Sequence, residues 1–543
     1  MPRAAASRPR GAPRPPPRAA AGPAWVAPAA CVAAALALRL RALRFQPFPS
    51  FDTISYLQFA EAIRKGQAYV SLFPPGYPAL VALFQLGVHP GLRAAGLAAV
   101  VCGALLPWPV WALARRALGA GWAWVPALAV ALHPDLARLS AQAVSEPLFF
   151  LALYAGVALA AAPLSAGLLL GLAYATRPEG LVPMAALGLR QAWRGLRRAS
   201  RWGGLVLLSA GFLLLAVPCW IYFHATLGHW TLSPKAAILR DPALSWRAYE
   251  PRASQAPAAA FGSGGVRSLP AAAGEALRFL PANALRHGRS LVGLWPLPLL
   301  LLALVGLGLR RGLEAVPLLQ FLVVCLVGVA GAEPRFVLAA GPALAILSVG
   351  PLAAPRAAGW RLAAAAVWLA GAAMCATQGA PRLTRAVEDL GSEQRAGEWL
   401  AGAGEPGALL MDRRPYVAYY SGHPRVVTPD DPYDTVLAAA ARRGVRYLVI
   451  NAPQAHVLRP QLKALFYHPW ITESDPRLDV IYFGGETSRT AVAIFKLLRP
   501  GEPKRQAPPV LEIRWAPPPG APGAPPGLPG APGAAPGPPG APP

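Results

Sequence analysis

The most constraining feature of this chain is a series of apolar segments at the length needed to cross about 30 Å of hydrocarbon. Only 14% of the 543 residues are charged, against roughly a quarter in an ordinary soluble protein. This excludes an ordinary cytosolic enzyme and predicts a polytopic α-helical membrane protein. We expect about eleven spans, near 24–43, 91–114, 121–137, 146–162, 163–177, 179–192, 202–223, 291–309, 313–331, 336–354 and 360–377.

The basic residues indicate how these spans are oriented. Lys and Arg number 51 against 25 Asp and Glu, a formal net charge of +26. On a soluble chain this excess would favour a nucleic-acid partner, whereas membrane proteins concentrate Lys and Arg in cytoplasmic loops. We therefore predict a multi-pass membrane protein, surrounded by lipid and without a nucleic-acid partner. With the N-terminus inside, the compact arginine clusters all fall on the cytoplasmic side, at Arg115-Arg116, Arg190 to Arg201, Arg310-Arg311 and Arg356 to Arg361.

Two large loops lie outside in this topology, at 44–90 and 224–290. The first contains FDTISYLQFAEAIRKG, whose apolar residues recur at roughly helical spacing and predict an amphipathic helix along the membrane interface. After a Pro-Pro-Gly stop it continues as an apolar helix too short to span. Of the ten carboxylates before residue 380, nine fall at the outer face and Glu314 does not. The outer face is therefore where cation binding or chemistry is expected.

The composition changes after the predicted bundle, 24–377. Between 378 and 500 carboxylates return and short apolar runs alternate with helical stretches, which predicts a small extracytoplasmic α/β domain. Charged residues cluster at two predicted strand ends, in Asp412-Arg413-Arg414 and Pro429-Asp430-Asp431. We interpret them as solvated loop charge, with contact to an acceptor or glycan as the alternative. The expected strands are 408–411, 446–451, 479–483 and 491–498, and the expected helices lie near 392–402, 433–443 and 459–467.

Both ends of the chain are of low complexity. Residues 1–23 are rich in Pro and Arg without an apolar period, which predicts a disordered, basic cytoplasmic N-terminus. Residues 501–543 repeat Gly and Pro without the strict three-residue period of collagen, so we expect a disordered, polyproline-like tail.

Asp52 is the first candidate for chemistry, because it follows the first span just outside the predicted membrane surface. A partly desolvated carboxylate is a usable general base. Tyr56 lies one helical turn further on and shares a helix face with Asp52. The alternative is that Asp52 caps the helix that begins at this point.

Several short motifs follow in a characteristic order. Phe51-Asp52 is followed by Phe73-Pro74-Pro75-Gly76-Tyr77-Pro78, then by Ser145-Glu146-Pro147, Thr176-Arg177-Pro178-Glu179-Gly180 and Glu333-Pro334-Arg335-Phe336. Over about 24–377 this order resembles the membrane glycosyltransferases of the GT-C fold. It is most similar to glycosyltransferase family 39 and to the branch with the lipid A aminoarabinose transferase, the Rgt-type transferases and the protein O-mannosyltransferases. Members often carry Asp-Glu in the first loop, whereas this chain has Asp52-Thr53, so one acidic residue matches.

The resemblance implies transfer of a sugar, with inversion, from a polyprenyl-phosphate donor to an acceptor outside the cytoplasmic membrane. Such a reaction needs a base for the acceptor hydroxyl and cations for the charge that develops on the phosphate. Asp52 is the candidate base, and Arg177, Arg335 and Lys235 are candidates for the phosphate site. Tyr56, Tyr77, Glu146 and Glu179 are candidates for supporting or substrate contacts.

Other interpretations of these residues and of the chain stay open at this stage. Arg177 could simply pair with Glu179 or Glu146, and Arg335 with Glu333, at the membrane interface. The chain could also be a transporter or flippase of lipid-linked glycans, or a non-catalytic GT-C relative. No cofactor and no metal site are predicted, because no His, Asp and Glu cluster has a metal-ligand spacing. The acceptor in the cell envelope could be a lipid, a glycan or a protein.

Overall fold

The computed structural model describes most of the chain in two compact units, Met1–Glu388 and Asp389–Pro543. The described residues are 25–71, 73–197, 202–233, 269–309, 312–327, 334–354, 357–386, 389–467, 475–485, 490–505 and 510–513.

The described part of the first unit consists of α-helices joined by short turns. Turns of 3-10 helix lie at Pro178–Gly180, Leu313–Leu318, Pro334–Phe336 and Leu338–Ala340. The helices are α1 Val26–Leu43, α2 Phe51–Arg64, α3 Gly76–Phe84, α4 Gly91–Leu105, α5 Pro107–Leu118, α6 Trp124–Leu132, α7 Pro134–Ser140, α8 Glu146–Ala158, α9 Pro163–Thr176, α10 Leu181–Arg197, α11 Trp202–Leu227, α12 Leu269–Leu294, α13 Leu297–Leu309, α14 Leu319–Val327, α15 Gly341–Ala353 and α16 Ala358–Leu383.

Four stretches among the described residues are long and apolar enough to cross a membrane: α1, α4 with α5, α11 and α16. A fifth becomes possible if Leu280–Leu294 and Leu297–Leu309, which meet at 110°, form one broken span. Other segments that we predicted as spans are shorter apolar helices, such as α8 and α9. The count of eleven spans is therefore not confirmed and stays a prediction.

Proline explains why one predicted span is interrupted. The segment 121–137 is two helices, α6 and α7, and not one, because His133 between them leaves the helical region with ψ 119°. Pro134 follows, and a residue before proline is pushed out of the α conformation. Near this break the backbone carbonyl oxygens of Val130 and Ala131 accept hydrogen bonds from the buried guanidinium of Arg39 in α1.

Small residues bring α9 and α11 into close contact. A Cβ added at Gly167 would lie 2.1 Å from the carbonyl oxygen of Leu208, and one added at Gly211 would lie 2.3 Å from that of Leu164. Helices in membranes associate through such small residues because their backbones can then approach closely. This packing holds the C-terminal end of α9 in place, where Arg177 follows directly.

The second unit contains a six-stranded sheet in the order β2-β1-β3-β5-β4-β6. β1 pairs in parallel with β2 and with β3, whereas β5 runs antiparallel to β3 and β4. The sequence predicted four of these strands and missed two short edge strands. The strands are β1 Leu409–Met411, β2 Arg425–Val426, β3 Val445–Asn451, β4 Leu478–Gly485, β5 Val492–Leu497 and β6 Val510–Ile513, and the helices are α17 Gly391–Ala403, α18 Tyr416–Ser421, α19 Tyr433–Arg442 and α20 Lys463–Tyr467.

Two details of the predicted C-terminal region need correction. Strand β6 pairs in parallel with β4 and lies inside 501–543, where we expected a tail without regular structure. The side chains of Asp412 and Arg413 are buried, at 0% and 4% exposure, and are not solvated loop charge. Asp412 is buried because it directly follows β1, which is not an edge strand and has a neighbour on each side.

Candidate active site

The N-terminus of helix α2 is capped by residues other than Asp52. Ser50 is the N-cap, its hydroxyl accepts from the Thr53 amide, and the Thr53 hydroxyl accepts from the Ser50 amide. The Thr53 hydroxyl also lies 3.2 Å from the carbonyl oxygens of Gln142 and Ala143. The alternative that Asp52 caps α2 is therefore wrong. Asp52 lies in the first turn of α2. Its neighbour Thr53 bonds the loop before α8 and so fixes the position of this turn.

Asp52 and Arg335, which are 283 residues apart in the chain, form an ion pair. Arg335 Nη1 donates to Asp52 Oδ2 at 2.9 Å. The Nε atom of Arg335 also lies 3.7 Å from Glu146 Oε1. The side chains of Asp52 and Arg335 retain 19% and 23% exposure, so an incoming ligand can reach both. Glu333, the partner that the sequence suggested for Arg335, lies outside the described residues.

Arg177 joins the same cluster through Glu146. Its Nη1 atom donates to Glu146 Oε1 at 2.8 Å and its Nη2 atom donates to Glu179 Oε1 at 3.0 Å. Both of the ion-pair partners that the sequence suggested are therefore present. The guanidinium also lies 6.0 Å from the ring centre of Phe149 and 5.7 Å from that of Phe336, and such faces attract cations.

Glu146 is the most buried member of the cluster, at 2% exposure. Its Oε1 atom serves both arginines. Its other oxygen, Oε2, is buried and has no hydrogen-bond partner among the described residues. A carboxylate placed in this way holds Arg177 and Arg335 close to each other despite their like charge.

Two glycines allow the backbone around Arg177 to pack tightly. A Cβ at Gly76 would lie 2.6 Å from the carbonyl oxygen of Ala175, and a Cβ at Gly180 would lie 2.4 Å from the amide nitrogen of Tyr174. These distances explain why glycine occurs in both motifs. The amide of Gln320 in α14 donates to the carbonyl oxygen of Glu179 at 3.0 Å and braces the same turn.

The two tyrosines that we proposed as supporting residues are buried, and neither hydroxyl donates to Asp52. Tyr56 donates to the Ser145 hydroxyl at 3.1 Å, and Tyr77 donates to the Ala95 carbonyl oxygen at 2.8 Å. Their ring centres are 5.0 Å apart, edge to face. Burial raises the pKa of Tyr56 well above its ordinary value, and the charges of Asp52 and Glu146 add to this. Tyr56 is therefore a neutral packing and hydrogen-bonding group.

Two residues that support the cluster, Gln320 and Ser145, were not predicted from the sequence to do so. Gln320 is one of few polar side chains in its apolar segment, which is the signal that could have revealed it. Ser145 stood in a quoted motif, but nothing indicated that it bonds Tyr56. Lys235, the third proposed phosphate ligand, lies outside the described residues. Among the residues that the structure describes, no group of three His, Cys, Asp or Glu side chains is arranged to hold a metal ion.

Comparison with known proteins gives a likeness in structure. No family model matches the chain, and no curated protein does. The crystal structure of the Archaeoglobus fulgidus oligosaccharyltransferase with Zn and sulfate superimposes with a TM-score of 0.55 at 12% identity, over 86% of this chain and 72% of that one. ArnT from Cupriavidus metallidurans, solved with undecaprenyl phosphate, gives 0.51 at 15% identity, over 87% and 98%. Apo ArnT gives 0.52 at 14% identity, over 87% and 97%.

The chain has the GT-C fold. The predicted fold class is confirmed in kind, as a helical membrane protein with a GT-C architecture. At this level of identity the likeness concerns the fold alone, and the chemistry has to be argued from the side chains of this chain. Those side chains are the Asp52–Arg335 pair and the Arg177–Glu146–Glu179 group, which the GT-C fold brings together from four separate segments.

Proposed function

We propose that the chain is an inverting glycosyltransferase that moves a sugar from a polyprenyl-phosphate donor to an acceptor at the outer side of the bacterial cytoplasmic membrane. The observation that carries this proposal is the 2.9 Å contact between the carboxylate of Asp52 and the guanidinium of Arg335. It places a candidate base beside a candidate phosphate ligand. The shared fold with ArnT, a protein solved with undecaprenyl phosphate, supports a lipid-phosphate donor.

Donor binding and activation of the base are coupled in this arrangement. The donor phosphate takes hydrogen bonds from Arg335 and Arg177, because guanidinium groups bind phosphate oxygens in a bidentate manner. Arg335 then turns from Asp52 to the phosphate, and the carboxylate is released to accept a proton. Without a donor, Asp52 stays engaged by Arg335.

The transfer step balances without a general acid. The acceptor hydroxyl oxygen attacks the anomeric carbon of the sugar, and its proton goes to Asp52. The bond between that carbon and the phosphate oxygen breaks, and the polyprenyl phosphate leaves with the electron pair. Attack from the side opposite the phosphate inverts the anomeric centre. The two guanidinium groups stabilise the charge that develops on the leaving group.

The charge of the cluster bears on the role of Lys235. Three carboxylates, Asp52, Glu146 and Glu179, face two guanidinium groups among the described residues. A phosphate would add further negative charge, so an additional cation favours binding. We propose that Lys235, in the second large outer loop, supplies it. Lys235→Gln should then weaken binding of undecaprenyl phosphate about ten-fold, the effect of one charged contact.

The positions of these residues also support an active site outside the cytoplasm. Asp52, Glu146, Arg177 and Arg335 each stand at a helix end or turn that the charge-based topology assigns to the outer face. All four meet in one cluster. Residues on opposite sides of a bilayer could not do so. The acceptor is accordingly a lipid, a glycan or a protein of the cell envelope.

Asp52→Asn tests the proposal, because it preserves the shape of the side chain and removes the base. Membranes containing the variant are assayed for transfer of radiolabelled sugar from a panel of undecaprenyl-phosphate hexoses and pentoses. We expect a loss of at least about a hundred-fold, since a general base contributes roughly 10²–10⁴. Glu61→Gln is the matched control. Glu61 is on the same helix, but its side chain is 44% exposed and pairs with Arg64 and Lys65.

Two results would contradict the assignment. Undiminished transfer by Asp52→Asn would remove Asp52 from the mechanism while leaving the enzyme class intact. No transfer by the unmodified chain with any lipid-linked sugar, together with unchanged lipid-linked sugars in a deletion strain, would overturn the enzyme class itself.

A further inference from the structure

A second group of charged residues lies in the first unit, apart from the candidate active site. Helix α7 carries Asp135 and Arg138, and the end of α16 carries Arg382, followed by Arg385. We call Arg138, Arg382 and Arg385 the arginine cluster. The topology assigns these positions to the outer face. Within the described residues, the arginine cluster makes one ion pair, between Arg382 Nη1 and Asp135 Oδ2 at 3.0 Å.

Close packing brings the two helices of the arginine cluster together. A Cβ at Gly379 of α16 would lie 2.5 Å from the Cβ of Pro134, the first residue of α7. Arg382 stands one turn after Gly379 and bonds Asp135 one residue after Pro134. The spacing of the cluster is therefore set by helix packing and not by loose loops.

Arg138 is the informative member of the cluster. Its side chain is half-buried, and within the described residues it makes no hydrogen bond and no ion pair. Its Nε atom is buried without a partner. Burial lowers the pKa of Arg138, the charge of Asp135 raises it, and the charges of Arg382 and Arg385 lower it further. A half-buried guanidinium that lies near two others, and that makes no ion pair within the described residues, is a candidate for binding an anion.

Helix α16 indicates what kind of anion fits. It is one of the candidate spans, and only 17% of its most apolar stretch is buried within the protein. Leu362, Leu369 and Met374 are 75%, 62% and 40% exposed, so its lipid-facing side lies open along its length. Arg382 lies in the last turn of α16, beside α7, and its side chain is 38% exposed there. A lipid that lies against the open sides of α16 therefore brings its headgroup to the end of the helix, within reach of the arginine cluster.

We propose that the arginine cluster binds the phosphate headgroup of an anionic membrane lipid whose acyl chains lie along α16. Arg138 donates to the phosphate from one side, and Arg382 and Arg385 donate from the other. Asp135 holds Arg382 in place. This site is separate from the cluster around Asp52, and it does not depend on whether the chain transfers a sugar.

The test measures the Tm of the full-length protein in detergent during titration with dioctanoyl phosphatidate. A ligand that binds the folded state raises the Tm in a saturable way. Dioctanoylglycerol, which lacks the phosphate, and inorganic phosphate, which lacks the chains, should raise it little at the same concentrations. Arg138→Gln should shift the midpoint of the phosphatidate titration about ten-fold higher, the effect of one lost headgroup cation. Because Arg138 makes no described bond, its replacement leaves the fold intact.

Two further variants make the outcome specific. Arg93→Gln removes an exposed arginine at the outer end of α4 and should titrate like the unmodified chain. Arg335→Gln removes a cation of the candidate active site and should also retain the phosphatidate response. The proposal is overturned if Arg138→Gln and Arg382→Gln both titrate like the unmodified chain, or if inorganic phosphate alone gives the same rise. Loss of the response in Arg335→Gln alone would assign it to the active-site cluster instead.

Discussion

Gly180 gives a quantitative test of how Arg177 is positioned. In Gly180→Ala the new Cβ would lie 2.4 Å from the amide nitrogen of Tyr174 and 2.7 Å from the carbonyl carbon of Ala173. Both are backbone atoms of α9 and cannot rotate away. An ordinary contact begins near 3.4 Å, so the turn that carries Arg177 and Glu179 must move by about 1 Å.

That displacement should affect chemistry more than stability. Overpacking of this kind costs about 1–3 kcal/mol of stability, whereas a misplacement of about 1 Å at a reacting centre lowers rates roughly a hundred-fold. The 2.8 Å contact between Arg177 and Glu146 is expected to break. The variant should therefore fold with a lower Tm and lose transfer from the undecaprenyl-phosphate sugar that serves the unmodified chain.

Gly188→Ala is the matched control for Gly180→Ala. Gly188 lies in α10, and a Cβ there would meet nothing closer than Leu205 Cδ1 at 3.9 Å. Alanine in a helix is better than glycine by about 0.5–1 kcal/mol, so this variant should be as stable as the unmodified chain or more so, with full transfer. Wild-type Tm and wild-type transfer in Gly180→Ala would refute the claim that close packing of this turn positions Arg177.

Two other predictions concern buried carboxylates. Glu146→Gln removes a negative charge next to two arginines, so undecaprenyl phosphate should bind more tightly. Transfer should nevertheless fall at least about ten-fold, because the charge-assisted bond to Arg177 is lost. Weaker binding of the lipid in equilibrium assays would count against this prediction. In the second unit burial raises the pKa of Asp412 to about 7, above an unfolded value near 3.9. Between these two pKa values the folded unit binds a proton that the unfolded unit does not. The free energy of unfolding therefore falls by up to roughly 4 kcal/mol as the pH rises from about 4 to about 7. Above that range Asp412 makes no further contribution to the pH dependence. Hydrogen exchange of β1 and β3 amides, corrected for intrinsic rates, should show this slope in the full chain and not in Asp412→Asn; equal slopes in both would show that Asp412 is not the titrating group.

The candidate site was predictable to the extent that its residues stand in local motifs. Charged residues next to proline at the ends of apolar segments are unusual, so Arg177, Glu179, Glu146 and Arg335 could be selected from the sequence. Gln320 stands out as a polar residue in an apolar segment, but its role and that of Ser145 could not be assigned, because both depend on partners far away in the chain. Ser145 accepts a hydrogen bond from Tyr56, 89 residues away, and Gln320 donates to a carbonyl oxygen 141 residues away.

The amino-acid sequence by itself determined that this is a membrane bundle followed by an α/β unit, because apolar length and strand–helix alternation are local properties of the chain. It also predicted that the candidate site faces outward, since the distribution of arginine predicts the orientation of the helices. The tertiary structure decided which carboxylate meets which arginine. Asp52 pairs with Arg335 across 283 residues, and close packing at Gly76 and Gly180 fixes the backbone around Arg177. It also decided that Asp412 is buried and that Arg138 makes no ion pair within the described residues, because burial and pairing depend on what the rest of the chain places around a residue.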